Sequence, residues 1–302
     1  MCDQRTLAYI VTVRLSTVIL PLERWSASRE KWRRAEELGF HAAYTYDHLS
    51  WHRLADRPWF GAVPTLAAAA LETSTIRLGT LVTTPNFRHP VPLAKDLLSL
   101  DDLASGRFSV GLGAGGLGVD ADVLGEPRWS LRERADRFAE FVELLDALLR
   151  DPVTTSTGTY YSAVEAIMLP GTLQRPRPPF VLSATGPRGM ALSARFAQGW
   201  VTTGRGADQN EHCADVVAAE LSRLDAALDD AGRTRDSMEK VLLDGLNDER
   251  PLTSLDAFVD WAGRYQQLGV TELVIHWPEP NSLFAADVDV FEDIATNGLN
   301  QL

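Results

Sequence analysis

The chain has 302 residues, of which 45% are hydrophobic and 23% charged, and carries a formal net charge of −12. This length and apolar share fill one large core, and α/β barrels reach this size undivided, so a single domain over residues 1–302 is expected. The acidic balance disfavours a nucleic-acid surface, which needs clustered Lys and Arg to neutralise phosphates, and no apolar run approaches the roughly 20 residues that span a bilayer.

Apolar, β-branched runs alternate with helix-period segments from end to end, the pattern of parallel strands joined by crossover helices. A first strand is predicted over 14–20. A helix over 28–38 follows, with Trp32, Ala35 and Leu38 on one stripe and Gly39 at its stop. The second strand, 41–46, runs into Tyr46, Asp47, His48, Leu49, Ser50, Trp51 and His52. A histidine beside an aspartate at a strand's carboxyl end is placed to exchange a proton with a bound ring. The alternative is Asp47 as a helix N-cap next to a partly exposed histidine. His48 and His52, four residues apart, lack the third ligand that a metal site requires. The two cysteines, Cys2 and Cys213, have neither CxxC nor Cys/His spacing, so no metal site and no disulfide framework is expected.

The third strand, 76–83, is followed by Thr84, Pro85, Asn86, Phe87, Arg88 and His89. Proline biases the preceding residue toward extended backbone, which sets the Thr84 hydroxyl where a ligand edge could meet it; the alternative is a plain capped turn. Arg88 and His89, at the far end of the loop, read as part of a helix start. The fourth strand, 107–113, enters the glycine run Gly111 to Gly118, which formally contains GxGxxG. A dinucleotide fingerprint needs a helix to open at once, whereas here the next good helix begins near Ser130. The glycines instead suit a backbone that approaches a flat ring or turns tightly. Leu131–Arg150 reads as an amphipathic helix with solvated charges. Residues 151–179 break the rhythm and read as an insertion after the fourth helix, with a short hairpin.

The fifth strand, 179–184, leads through Thr185, Gly186, Pro187, Arg188 and Gly189 into a helix over 191–197. Capping by Thr185 or Gly186 with proline in the first turn leaves free N–H groups at a positive helix end beside a guanidinium. That is a seat for a phosphate, or ordinary capping with a solvated arginine. Strands over 199–203, 239–245 and 271–276 complete the count, and a helix over 253–268 ends at Gly269. Eight such units could form an open sheet. The absence of a break between two halves favours a closed (β/α)8 TIM barrel, with its active site at the carboxyl ends of the strands.

In order and spacing, AEELGFHAAYTYDHLSW (35–51), IRLGTLVTTPNFRHPVPLAKDLLSLDDLASGRFSVGLGAG (76–115), LRERADRFAEFVELLDALL (131–149), FVLSATGPRGMALSARFAQGW (180–200) and LGVTELVIHW (268–277) resemble the luciferase-like monooxygenase superfamily, and within it the coenzyme F420-dependent branch. The resemblance implies an oxidoreductase that moves a hydride between F420 and a small organic substrate. The cofactor ring would lie across the barrel mouth, with catalytic His48 beside its reactive face and Asp47 nearby. A non-proline cis bond is implied at Leu81–Val82, against the ring and close to Thr84. The cofactor phosphate would rest on Thr185, Gly186, Arg188 and Gly189, with Thr202 and Thr203 flanking the tail. FMN, in a monooxygenase, is the alternative cofactor, and a catalytically silent ligand-binding barrel is a third alternative. A homodimer is expected, and without signal-peptide order at the N-terminus a cytoplasmic location. Sugar-phosphate dehydrogenases of the family carry a catalytic glutamate directly after the fourth-strand glycines. Gly116 stands there in this chain, and among basic positions for a polyglutamylated tail Arg205 is the main candidate.

Overall fold

All eight predicted strand segments form strands, each trimmed at its ends, because the apolar runs continue into buried loop residues such as Ile19 and Leu20. The computed structural model describes residues 13–116, 119–205, 212–246 and 248–302; Cys2, and Leu117 and Gly118 of the glycine run, lie outside them. In chain order the elements are β1 (Arg14–Val18), α1 (Trp25–Glu37), β2 (Ala42–Thr45), α2 (Ala62–Glu72), β3 (Arg77–Thr83), α3 (Pro90–Leu103), β4 (Phe108–Gly113), α4 (Val119–Val123) and α5 (Leu131–Arg150). There follow β5 (Val153–Thr157), β6 (Ser162–Ile167), β7 (Phe180–Ser183), α6 (Pro187–Phe196), β8 (Gly199–Thr202), α7 (Cys213–Asp230), β9 (Glu239–Leu243), α8 (Leu255–Leu268), β10 (Glu272–His276) and α9 (Val288–Asp293).

Strands β1, β2, β3, β4, β7, β8, β9 and β10 pair in parallel around a closed barrel, β1 bonding both β2 and β10. The fold is a (β/α)8 barrel. Alternate strand residues face opposite sides: in β9, Val241 and Leu243 join the inner cluster while Leu242 packs against the outer helices. Both faces are thus buried, which is why the strands read as unbroken apolar runs. Each large side chain taken fully out of water, such as Phe141 or Leu66, contributes about 1.5–3 kcal/mol.

Local chemistry sets the element ends. Ser130 accepts from the Glu133 N–H at the start of α5, and Ser254 does the same for Ala257 at the start of α8, each satisfying a first-turn donor. Gly269, with φ of 93°, stops α8 in the left-handed region, where a side chain would be strained. The insertion is a two-stranded antiparallel hairpin, β5 with β6, outside the barrel. Helix boundaries differ from expectation: α1 opens at Trp25 rather than 28 and α8 at Leu255 rather than 253. The segment after the glycines, expected to be non-helical, contains α4, a five-residue helix with Asp120 and Asp122 in its first turn. Helix α6 opens at Pro187 rather than 191, because proline suits the first helical position.

Candidate active site

Loops that follow six of the barrel strands, β2, β3, β4, β7, β8 and β10, supply the site. The loop after β2 carries Asp47 and His48 and packs its Trp51 on Phe284, which comes from the loop after β10, with ring centroids 5.7 Å apart. His48 is part-exposed and its Nδ1 lies 2.8 Å from Oδ2 of Asp120. The other oxygen of Asp120 accepts from the Leu49 N–H at 2.7 Å. Asp120 is 1% exposed, and a buried carboxylate that accepts two hydrogen bonds is a fixed acceptor. It therefore holds the hydrogen on Nδ1 and leaves Nε2 as the nitrogen free to take or give a proton. Among the described residues Nε2 has no hydrogen-bond partner.

Asp120 is the residue that sequence reasoning missed. The signal is its place a few residues after a strand-end glycine run, where barrel active sites gather, and the absence of a dinucleotide helix there does not bear on it.

Asp47 is buried and turned the other way. The Arg88 guanidinium grips it with two hydrogen bonds, Nε at 3.0 Å and Nη2 at 2.7 Å, and the Thr83 hydroxyl donates at 2.9 Å. Asp47 thus ties the β2 loop to the end of β3. It caps no helix. Arg88, expected to belong to a plain helix start, is corrected to a member of this clamp; burial pulls its pKa down, but Asp47 outweighs burial and holds it above the ordinary value. His89 behaves as expected at the helix start, its Nδ1 accepting from the Val91 N–H of α3.

The end of β3 bulges. The Leu81–Val82 peptide is cis, as the resemblance implies, and the pairing with β4 shifts register between Thr80 and Thr83. A Cβ on Gly113 would stand 2.7 Å from Val82 Cγ2, so this glycine of β4 makes room for the bulge. The Thr84 hydroxyl is buried without a partner. Gly115 and Gly116 are pinned by Arg134 of α5, whose guanidinium donates to both carbonyls. A Cβ on Gly116 would meet nothing within 4 Å.

After β7, Thr185, Gly186 and Arg188 are exposed. The first intrahelical bond of α6 runs from Met190 N to Gly186 O at 2.9 Å, so the N–H groups of Arg188 and Gly189 precede it. No side chain caps this end. The Arg188 side chain pairs with Asp136 of α5. Thr202 differs from expectation: its hydroxyl donates to Glu220 of α7 at 2.5 Å and accepts from the Gly204 N–H at 3.0 Å, on the outer side of the barrel. Alternation explains this, since Val201 belongs to the inner cluster; Thr203 shares the inward parity of Val201. Arg205 lies close enough to His52 that burial first, then Arg53, Arg205 and His48, lower the His52 pKa. Among the described residues no group of three His, Cys, Asp or Glu is placed to hold a metal ion, and no helix is long and apolar enough to cross a membrane.

A closed parallel barrel whose buried carboxylate and histidine meet at the carboxyl ends of its strands is the scaffold of a (β/α)8 barrel enzyme. Residues 7–243 match the model of the luciferase-like monooxygenase family, and the chain belongs to that family. It is 32% identical over 216 residues to an F420-dependent glucose-6-phosphate dehydrogenase of Microbacterium testaceum, covering 69% of this chain and 60% of that protein. It is 35% identical over 201 residues to the protein of the same name from Beutenbergia cavernae, covering 65% and 58%. The chain thus spans about three-fifths of the length of these curated relatives. An F420-dependent secondary alcohol dehydrogenase, solved in complex with an F420-acetone adduct, shares the fold with a TM-score of 0.79 at 18% identity, covering 94% of this chain and 99% of that one.

Proposed function

We propose that the protein is an F420-dependent oxidoreductase acting on a small organic substrate, with His48 as its proton-exchanging residue. The observation that carries this is the His48–Asp120 pair at the barrel mouth, in a chain whose curated relatives bear F420-dependent names. The residues present suit the cofactor. The unpartnered Thr84 hydroxyl offers a hydrogen bond beside the β3 bulge. The uncapped N-terminus of α6, with the exposed Thr185 and Gly186 and the amides of Arg188 and Gly189, suits a phosphate, an interaction worth about 0.3–1 kcal/mol per charge at a helix end.

When bound, F420 supplies a carbon that accepts or donates a hydride. The rest falls to the protein. Asp120 fixes the His48 tautomer, so that Nε2 can take the proton from a substrate oxygen or return it. Trp51 and Phe284, stacked on each other within the inner cluster, form an apolar wall on that side. Where the resemblance implies a glutamate in sugar-phosphate dehydrogenases, this chain has Gly116, which brings no carboxylate, and the substrate is read as a different one. Titration of the full-length protein with F420 and with FMN, followed by quenching of each cofactor's fluorescence, tests the proposal. Saturable F420 binding with FMN excluded is the expected result; FMN binding with F420 excluded would overturn it in favour of flavin-dependent monooxygenation.

A further inference from the structure

Beside the His48 mouth, at the ends of β9 and β10, lies a separate cavity of about 80 Å³ lined by Asp244, Gly245, His276, Leu283 and Phe284, among others. Two of its polar atoms are buried without a well-aligned hydrogen bond: Oδ1 of Asp244 and Nδ1 of His276, whose ring stands against the Asp244 backbone. Their residues are 5% and 2% exposed. Buried polar atoms left unpaired cost about 1–3 kcal/mol each, so two in one small cavity call for an occupant.

The surroundings define what that occupant is. His276 is held on three sides. The Tyr46 hydroxyl meets its Nε2 at 2.9 Å, the Phe284 ring stacks on it at 3.7 Å and 15°, and a Cβ at position 245 would come within 2.9 Å of Nδ1, a space that glycine leaves open. Burial pushes the His276 pKa down to about 3, so the ring is neutral. With the Tyr46 phenol donating to Nε2, Nδ1 carries the hydrogen and is a donor. The Asp244 carboxylate is an acceptor. A hydroxyl accepts one hydrogen bond and donates another and so satisfies both, and the apolar Leu283 and Phe284 in the same lining suit the carbons of an organic hydroxyl.

We infer that this cavity is a subsite for a hydroxyl group of a small, neutral, partly aliphatic substrate. The hydroxyl accepts from His276 Nδ1 and donates to Asp244 Oδ1, while Phe284 and Leu283 cover the adjoining carbons. Of the acidic residues lining the cavity, Glu249 is paired with Arg264 at 3.1 Å, so the acceptor the cavity offers is the Asp244 carboxylate, which suits a hydroxyl donor and not an anion. The inference rests on the oxidoreductase proposal only in calling the ligand a substrate.

The test uses full-length, 15N-labelled protein and two probes, propane-1,2-diol and its donor-free dimethyl ether, 1,2-dimethoxypropane. Burial first pushes the Asp244 carboxyl up to about 7; the Gly245 N–H and Arg250 oppose this and Glu249 adds to it. The titrations are therefore run above pH 8, where Asp244 is ionised. The His276 Nδ1 resonance is expected to shift saturably with the diol, and at least about tenfold more weakly with the ether. Asp244→Leu should abolish the diol response. The isosteric Asp244→Asn should weaken it about tenfold, and serves alone should the leucine variant not fold. A response that is linear in concentration, equal for both probes, or unchanged in Asp244→Asn would overturn the inference and leave a water-filled cavity. The F420 titration is run on the same samples. Failure of F420 to bind while the diol binds rejects the cofactor, and the reverse rejects the subsite.

Discussion

His48 Nδ1 and Asp120 Oδ2 meet at 2.8 Å across 72 residues of chain, and this contact makes the orientation of the proton-exchanging ring depend on a carboxylate that no sequence-local pattern joins to it. Asp120→Asn replaces a fixed acceptor by an amide that can also donate. Turnover is expected to fall on the order of 10²-fold with little change in F420 affinity. 15N spectra of His48 provide the readout that a merely structural role would not move: hydrogen shifted from Nδ1 toward Nε2. A wild-type tautomer with wild-type turnover would remove Asp120 from its positioning role.

The Arg88–Asp47 clamp is buried enough to matter for stability, the Asp47 side chain being 2% exposed and that of Arg88 21%. Arg88→Ala leaves a buried carboxylate with only Thr83 as donor, and should cost about 3–5 kcal/mol. Arg88→Lys should recover little, since an ammonium cannot reproduce the forked contact. The double variant Arg88→Met, Asp47→Asn should be more stable than Arg88→Ala. Urea denaturation of the three checks the order.

Gly113 and Gly186 should respond in opposite ways. Gly113→Ala places a methyl 2.7 Å from Val82 Cγ2, and the displaced bulge should cost about 1–3 kcal/mol. Gly186→Ala meets nothing within 4 Å, so the melting temperature should stay within about 2 °C. Its methyl would enter the space assigned to the cofactor phosphate, and F420 affinity should drop about tenfold. Melting curves and fluorescence titration separate the two effects.

Asp244 and His276 pull stability in opposite directions as pH changes. Asp244 titrates near 7 in the folded chain against an ordinary 3.8. Between these values the native state keeps a proton that the unfolded state has lost, so stability falls as pH rises. His276 titrates near 3 against an ordinary 6.5; there the unfolded state binds the extra proton, so stability rises with pH. Each effect amounts to about 4 kcal/mol over its window, and in the wild type they largely cancel. Asp244→Asn should therefore gain stability from about pH 4.5 to about pH 6.5 relative to wild type, and His276→Phe should lose it. Parallel profiles for all three proteins would contradict both assignments.

The barrel was legible because its signals are local and repeated: apolar runs buried on both faces, helix stops such as Gly39 and Gly269, a proline opening α6. That His48 and Thr185 to Gly189 lie in loops after strands is legible from the alternation of elements, while the roles proposed for them rest on the resemblance. What escaped is pairing over distance. Asp120 reaches His48, Arg88 reaches Asp47, and Tyr46 reaches His276, each between loops whose neighbouring sequence is silent about the partner. Thr202 was misplaced for a simpler reason, since counting alternation from Val201 would have turned its hydroxyl outward.

The Tyr46–His276 bridge has a consequence for anyone who would transplant loops between members of this family. It joins the loop after β2 to the end of β10 over the top of β1, so those two segments form one exchangeable cassette. A graft that replaces the His48 loop alone would leave the His276 ring without its phenol and Phe284 without Trp51. A recombination library that keeps both segments from the same parent should yield more folded chimeras than one that shuffles them independently.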